Sequence, residues 1–295
     1  MDNTPTQEYK LVKRIKDDHF SVDDLHKYTL SLLIGIRDFS LAITDSHSQV
    51  LLLEDFRLEG VKTINTRITL LKEIFDNHHL LRAGFWKEVK LAFKTHKFTL
   101  VPAPMFVQSA AMDYLSVNSE IKTNIEDAHF YQHVMSDAVN IFAGDLKLVN
   151  WIKSVYVNRQ IVFLHQGSSF IEGILRHDDH PHDKSMFCLI DRGILHTVVT
   201  EKQQLLYYNQ FAAKKSEDYL RFIMLVFKEL GLSQKSTKVV LWGNVSQKSK
   251  HMELIRKYIR DVSFGSRPAK LKFRYQFDEI PDHGYFDLLN IYMCA

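Results

Sequence analysis

The chain is poor in cysteine, glycine and proline, and each shortage excludes something. Two cysteines among 295 residues, Cys188 and Cys294, are too few for a disulfide framework and lack the spacing of metal ligands. Only 11 glycines and 6 prolines, against 20 Phe and 12 Tyr, favour long regular elements joined by short loops. Cys188 lies in an apolar run, where a free thiol behaves as a small buried hydrophobe, so we expect a reducing compartment.

Long hydrophobic runs and an excess of either charge are also missing. No segment approaches the roughly 18 consecutive apolar residues that suggest a membrane span. The polar, mixed-charge start of the chain has neither the basic residues nor the apolar stretch of a signal peptide. With 38 basic and 35 acidic residues, the net charge of +3 does not demand a nucleic-acid partner. We therefore expect a cytoplasmic protein with no membrane span and no nucleic-acid partner.

The motifs that mark the commonest enzyme classes are absent as well. The sequence contains no G-x-x-x-x-G-K-[ST], G-x-S-x-G, H-E-x-x-H or G-x-G-x-x-G. Their absence excludes P-loop nucleotide hydrolases, α/β-hydrolases, zinc proteases of the H-E-x-x-H type and dinucleotide-binding dehydrogenases that carry their usual signatures.

What the sequence does contain is a pattern that occurs twice. Residues 29–58 and 185–211 each read as an apolar strand, a tight turn, a second strand, a polar turn and a third strand. Phe56 and Phe211 occupy the same position near the end of the third strand. Because the spacing of both turns is similar, the pattern indicates an internal duplication.

Helices and strands are predicted to alternate after each copy. The second copy is followed by a helix, a strand, a helix, a strand at 269–277 and a short terminal helix, which gives the order βββαβαβα. The first copy is followed by the same order, interrupted by an extra piece at about 118–157. We expect an α/β protein of two such halves, residues 1–178 with the inserted segment and residues 185–295.

Three short motifs lie at the ends of these strands. The first turn reads IGIRDFS at 34–40, the second reads DRGIL at 191–195, and VVLWGNVS at 239–246 precedes a helix. Together with the element order, they resemble the superfamily of actin, the heat-shock chaperone ATPases and the sugar kinases. The likeness is greatest to the actin-like protein of bacterial pilus assembly and to an uncharacterised bacterial family of that fold, and it covers most of the chain. It implies a duplicated ribonuclease H-like fold, with a mixed sheet and flanking helices in each half.

In that superfamily the two turns clamp the phosphates of ATP from opposite sides. An acidic residue at the end of the first strand positions hydrated Mg²⁺, and small residues in the turn let main-chain N–H groups reach phosphate oxygens. The first turn here has Arg37 in place of that acidic residue and Phe39 in place of the key glycine. Asp38 lies one residue away, and strand alternation predicts that it points to the opposite face. We expect this clamp to be lost.

The other two motifs match the superfamily in part. The second turn keeps Asp191 and Gly193 of its Asp-x-Gly but continues with apolar residues, and a hairpin turn explains both by geometry alone. In the superfamily the third motif ends in a pair of glycines that contact the adenosine. This chain keeps the first as Gly243 and has Asn244 in place of the second, and an ordinary strand-to-helix loop would explain the same two residues. The candidate residues of a nucleotide cleft are Arg37, Asp38, Asp191, Gly193, Gly243 and Asn244.

A histidine- and aspartate-rich segment is a weaker candidate for a metal site. Residues 176–184 hold side chains that are competent metal ligands, but they form a polar linker with a proline and no rigid element to fix them. We therefore expect no metal there. The ligand-type residues are His177, Asp178, Asp179, His180, His182 and Asp183.

A basic stretch near the end of the chain has two interpretations. Arg267, Lys270, Lys272 and Arg274 are interspersed with apolar residues, which predicts an edge strand whose charged face discourages aggregation. The same face could bind RNA backbone or an acidic partner.

The partial motifs favour a non-catalytic actin-like module that binds a protein partner, with residual nucleotide binding left open. We assign no catalytic residue, metal or cofactor. The preferred partner surface is the aromatic inserted segment, which includes Trp151, because partner peptides bind the actin-like fold in the pilus-assembly relative. Core packing would explain the same aromatic residues.

The main alternative is an active ATPase or kinase that uses Asp191 or Asp38 for Mg-nucleotide. Phosphoryl transfer depends on positioning and charge stabilisation, so these carboxylates would have to converge across an open cleft. Closure of the cleft by Phe39, Ile194 or Trp242 would exclude it.

Overall fold

A computed structural model describes residues 8–177 and 184–295 of the chain as three β-sheets with helices packed between and around them. The strands are β1 (Tyr9–Lys16), β2 (Thr29–Ile34), β3 (Asp38–Thr44), β4 (Val50–Leu58), β5 (Glu88–Phe93), β6 (Phe98–Pro102), β7 (Glu126–Gln132), β8 (Ala138–Asp145), β9 (Ile161–His165), β10 (Ser185–Asp191), β11 (Ile194–Glu201), β12 (Gln204–Ala212), β13 (Lys238–Gly243) and β14 (Val262–Phe264). The α-helices are α1 (Ile64–Asn77), α2 (Ala111–Ser116), α3 (Leu146–Val155), α4 (Gln166–Leu175), α5 (Ser216–Glu229), α6 (Lys250–Tyr258) and α7 (Phe286–Asn290).

Both expected three-stranded meanders are present, each within a mixed sheet. In the first sheet, of order β1-β4-β3-β2-β5-β9, strands β2 to β4 pair antiparallel while β5 and β9 run parallel to β2. In the second, of order β12-β11-β10-β13-β14, strands β10 to β12 form the meander and β13 and β14 run parallel to β10. All residues of β2 and β3 are buried, as expected for apolar strands covered on both faces.

The first sheet has a sixth strand that the sequence pattern did not predict. Strand β1 pairs antiparallel with β4 along the edge of the sheet. Most of its side chains are exposed, and lysines and arginine alternate with the apolar residues, so the segment reads as a polar chain start. Charged side chains on an exposed edge strand discourage pairing with other chains.

The prediction of a strand at 269–277 is wrong. Strand β14 closes the second sheet at Phe264, and the chain then continues as a loop to a 3-10 helix at Tyr275–Glu279. One isolated bridge, between Gln49 and Lys272, is the β-pairing recorded for this loop. The Leu271 N–H group donates to the main-chain oxygen of Pro268 at 3.1 Å, so the chain turns where the strand was expected to begin.

Without that strand, the expected basic face does not form either. The Arg267 guanidinium donates to the main-chain oxygen of Phe277 at 2.8 Å and pairs with Asp282 at 2.9 Å. Arg274 instead pairs with the buried Asp17 at 3.3 Å. The two arginines are thus each bound within the chain, and the strand on which RNA binding was premised is absent.

The third sheet, of order β6-β8-β7, is inserted between β5 and α3. It begins at Phe98, upstream of the inserted segment expected at about 118–157, and β6 pairs with β8. Helix α3, expected within that segment, belongs to the core of the first half: the ring of Trp151 lies edge-on to Phe75 of α1 at 4.9 Å. Trp151 therefore contributes to the core of the first half.

Helices α4 and α7 lie between the two sheets and are buried at every residue. Phe170 of α4, Trp242 of β13 and Phe286 of α7 belong to one apolar core there, with the Trp242 and Phe286 ring centroids 4.7 Å apart. This shared core places the β2–β3 turn opposite the β10–β11 turn. No helix within 8–177 and 184–295 is both long and apolar enough to cross a membrane.

Candidate functional site

The β2–β3 turn sends neighbouring residues into different environments. The Gly35 N–H group donates to the main-chain oxygen of Asp38 at 2.9 Å, and Arg37 is exposed at the tip of the turn. Phe39 points into the core of the first half, where its ring stacks on Phe56 at 5.8 Å. Because side chains alternate along a strand, Asp38 then faces the second half. The expectation that Asp38 points away is thus wrong, and Arg37 lies outside the site.

The β10–β11 turn projects two charged residues toward the first half. Asp191 pairs with Ile194, and the two residues between them have φ angles of 46° at Arg192 and 89° at Gly193. Positive φ at both central positions defines a two-residue hairpin turn of type I′, in which glycine is favoured for geometry alone. Gly193 is therefore explained by the turn, while Asp191 and Arg192 are free to make contacts between the halves.

Lys94 lies between the two turns. Its ammonium is 2.7 Å from Oδ2 of Asp191 and also pairs with Oδ2 of Asp38. Burial alone would lower the pKa of Lys94, but the charges of Asp191 and Asp38 raise it above its ordinary value, so the ammonium stays charged. Lys94 directly follows β5, which is parallel to β2, so the lysine and the first turn meet at the same edge of the sheet.

A glutamine connects Asp191 to a further carboxylate. The Gln166 amide, at the start of α4, donates to Oδ2 of Asp191 and to Oδ2 of Asp287, each at 2.7 Å. Burial opposes ionisation of Asp191, but the Lys94 charge and these hydrogen bonds lower its pKa to about 2. Burial and the charge of Asp191 raise the pKa of Asp287. Of the two coupled carboxyl groups, Asp287 is therefore the one that holds a proton more readily.

Arg192 makes the reciprocal connection from the second half to the first. Its guanidinium pairs with Asp38 at 2.8 Å and with both oxygens of Asp55 at 2.6 and 2.8 Å. Asp55 also accepts hydrogen bonds from the Ser40 hydroxyl at 2.8 Å and the Tyr285 hydroxyl at 3.2 Å. Each half thus supplies one cation to the carboxylates of the other.

The loop after β13 is fixed by contacts within the chain. At Gly243 φ is 86°, and a Cβ atom there would lie 2.2 Å from the main-chain oxygen of Ile190. The N–H groups of Gly243 and Asn244 donate to the main-chain oxygens of His283 and Ile190, at 2.8 and 2.7 Å. The Asn244 side chain is exposed. Close packing of β13 on β10 is therefore sufficient to require the glycine.

Of the six predicted cleft residues, the structure brings Asp38 and Asp191 together on one lysine. Sequence reasoning missed the groups that join them: Lys94, Asp55, Gln166 and Asp287 lie far from the motifs in sequence. Arg192 occupies the variable position x of the Asp-x-Gly in the second motif. Its charge was the one feature of the sequence that could have indicated an ion pair at this turn.

This arrangement does not fit the Mg-nucleotide that the superfamily resemblance implies. The carboxylates that would face the hydrated metal both bind the Lys94 ammonium, and the N–H groups of the third motif are already bonded. Trp242 fills the core between the halves, whereas Phe39 lies within the first half.

For metal ligands, the part of the chain that the structure describes holds no suitable group of three His, Cys, Asp or Glu side chains. The ligand-type residues at 178–183, where no metal was expected, lie outside the described residues. His177 is described, and its Nε2 lies 2.8 Å from the Ser266 hydroxyl.

A groove of about 440 Å³ lies between β7 and β9. Strand β7 is an edge of the third sheet and β9 is an edge of the first, and the described residues place no further strand beside either facing edge. The lining is mixed, with Phe130, Ile161 and Phe163 beside Gln132 and Gln160. Such edges present main-chain N–H and C=O groups to a bound segment.

Comparisons with known proteins agree with this architecture. A family profile described as "Protein of unknown function (DUF3822)" matches residues 17–262. A Bacteroides thetaiotaomicron protein with an actin-like ATPase fold and unknown function superposes with a TM-score of 0.80 at 20% identity, covering 94% of this chain and 99% of that chain. A PilM–PilN type IV pilus biogenesis complex matches with a TM-score of 0.57 at 13% identity, covering 90% of this chain and 97% of that chain. No curated protein matches the chain. The solved structures confirm the expected actin-like ATPase fold, with two mixed sheets forming tandem halves.

Proposed function

The chain belongs to the DUF3822 family, and we propose that it is a non-catalytic actin-like module that binds a protein partner. The observation that carries the proposal is the position of Lys94. Its ammonium contacts Asp38 and Asp191, the carboxylates that the rival ATPase or kinase needs for Mg-nucleotide. A metal ion would have to displace a charged, buried lysine. Phosphoryl transfer depends on positioning and charge stabilisation, so without a positioned metal ion little catalysis is expected.

The groove between β7 and β9 is the partner site in this proposal. A partner segment entering the groove meets a mixed lining, with Phe130, which is 38% exposed, and Phe163 beside the amides of Gln132 and Gln160. Strands β7 and β9 already contact each other, with the rings of His129 and Phe163 5.1 Å apart, so the segment binds over the groove and not as a strand between them. The PilM–PilN complex supports the idea that this fold serves as a protein-binding module.

Binding to the groove is tested with two matched charge substitutions. Phe130→Glu places a carboxylate in the groove and also removes a ring that packs on Phe106 at 4.9 Å, so circular dichroism first checks that this variant is folded. Leu225→Glu places a carboxylate on α5, at a side chain that is 45% exposed. Each variant is used as bait beside the unaltered chain in extract from its own cells, and bound proteins are identified by mass spectrometry. We expect a partner that the parent chain and Leu225→Glu retain and that Phe130→Glu loses. Equal recovery by all three proteins would place the partner site elsewhere.

A further inference from the structure

We infer that the buried charges between the two turns form an interlock that holds the two halves closed without a nucleotide. The interlock consists of Asp38, Asp55 and Lys94 from the first half with Asp191 and Arg192 from the second. This role goes beyond partner binding, because it follows from the ion pairs whether or not the groove is occupied.

The pairs cross between the halves in both directions. Lys94 of the first half binds Asp191 of the second, and Arg192 of the second half binds Asp38 and Asp55 of the first. Two side-chain cations thus bridge the halves, so closure needs no added ligand.

Opening the halves would separate these charges in a setting where replacement by water is restricted. Removing one cation would leave buried carboxylates facing each other, and like charges at short range repel strongly in a poorly solvated site. Opening would also remove the packing around α4 and α7, whose residues are all buried between the sheets. At 10 and 5 residues these helices are too short to keep their main-chain hydrogen bonds without that packing, so their amides should exchange faster once the halves open.

Hydrogen–deuterium exchange of the full chain tests the interlock. Lys94→Met removes one cation, and Arg192→Asn removes the other while creating Asn-Gly, the pair that type I′ turns favour. We expect exchange in α4 and α7 to rise by about tenfold or more in both variants, because the open state and the unfolded state both lack the ion pairs, and to stay faster than in β2 and β13, which exchange through global unfolding. Lys94→Arg keeps the cation and should raise exchange less than Lys94→Met in all four segments.

Two results would overturn the interlock. Unchanged exchange in α4 and α7 would show that the ion pairs do not restrain the halves. A rise confined to β2 and β13 would show that the charges affect only global unfolding and not the opening of the halves. If Lys94→Met does not fold, Arg192→Asn decides the question, because its turn geometry is preserved.

Discussion

Replacing Lys94 by methionine should destabilise the protein at neutral pH more than an ordinary lysine substitution. Methionine is an unbranched side chain of comparable length and lacks the charge that both turn carboxylates contact. The Lys94 side chain is only 14% exposed, and those of Asp38 and Asp191 are 8% and 14% exposed. Water therefore has limited access to compensate the two carboxylates when the ammonium is gone.

The expected loss in the free energy of unfolding is about 3–5 kcal/mol, which is typical when one partner of a buried ion pair is removed. The pKa of Asp191 gives an independent scale. Its fall from 3.8 to about 2 corresponds to about 2 kcal/mol, at about 1.36 kcal/mol per pKa unit. Because the folded pKa lies below the unfolded one, this contribution is complete above about pH 4 and is lost as the pH falls through about 2.

Urea unfolding at pH 7, followed by circular dichroism, measures the loss. A double-mutant cycle with Lys94→Met, Asp191→Asn and the combined variant isolates the pair, and we expect a coupling energy of about 2 kcal/mol. Lys94→Arg preserves the charge and should lose less than half as much as Lys94→Met. The reasoning fails if Lys94→Met costs under about 1 kcal/mol or if the two substitutions add without coupling.

Two further predictions concern buried groups near the same site. Burial lowers the pKa of His165 to about 4 and of His196 to about 3, so the unfolded chain binds protons that the folded protein does not. The contribution of these two histidines to the free energy of unfolding should be complete above about pH 6.5 and fall at lower pH. Urea unfolding should therefore give a free energy of unfolding roughly 3 kcal/mol lower at pH 5 than at pH 7. Equal values at the two pH values would contradict burial of neutral imidazoles. Gly243→Ala should cost roughly 3 kcal/mol or more because its Cβ would meet the Ile190 oxygen. Gly231→Ala, with φ of 62° but open space around it, should cost only about 1 kcal/mol, and thermal unfolding compares the two variants.

The duplicated fold could be predicted because its signal is local. Strands β2, β3, β10 and β11 are continuous apolar runs bounded by short polar turns, and burial on both faces requires such runs. Two copies in similar spacing then indicate the tandem sheets that the structure contains. Where residues face solvent on one side, as in β1, the same local signal is weak.

The elements that sequence reasoning missed are fixed by contacts distant in sequence. The stretch at 269–277 alternates charge and apolarity like a strand, yet Arg267 and Arg274 are held by different partners. Apart from the single bridge between Lys272 and Gln49, the described residues place no strand beside it. Tertiary context overrides such short patterns.

Sequence reasoning located two of the carboxylates of the site but not the cations that bind them. Motif comparison located the turns that hold Asp38 and Asp191, since those turns follow recognisable strands. It could not reveal that Lys94 joins them, because a lysine after a strand is an ordinary solvated residue in most proteins. Nor could strand alternation alone choose the face of Asp38; the preference of Phe39 for the core decided it.

Calorimetric titration of the protein with Mg·ATP, with thermal unfolding measured alongside, tests most directly the claim that the cleft is closed by its own charges. The account predicts no heat of binding and no change in melting temperature at millimolar nucleotide, because Lys94 and Arg192 already bind the carboxylates of both turns. Micromolar binding with a clear rise in melting temperature would contradict it, since only a ligand that binds the folded state raises that temperature. In that case the turns would still clamp a nucleotide.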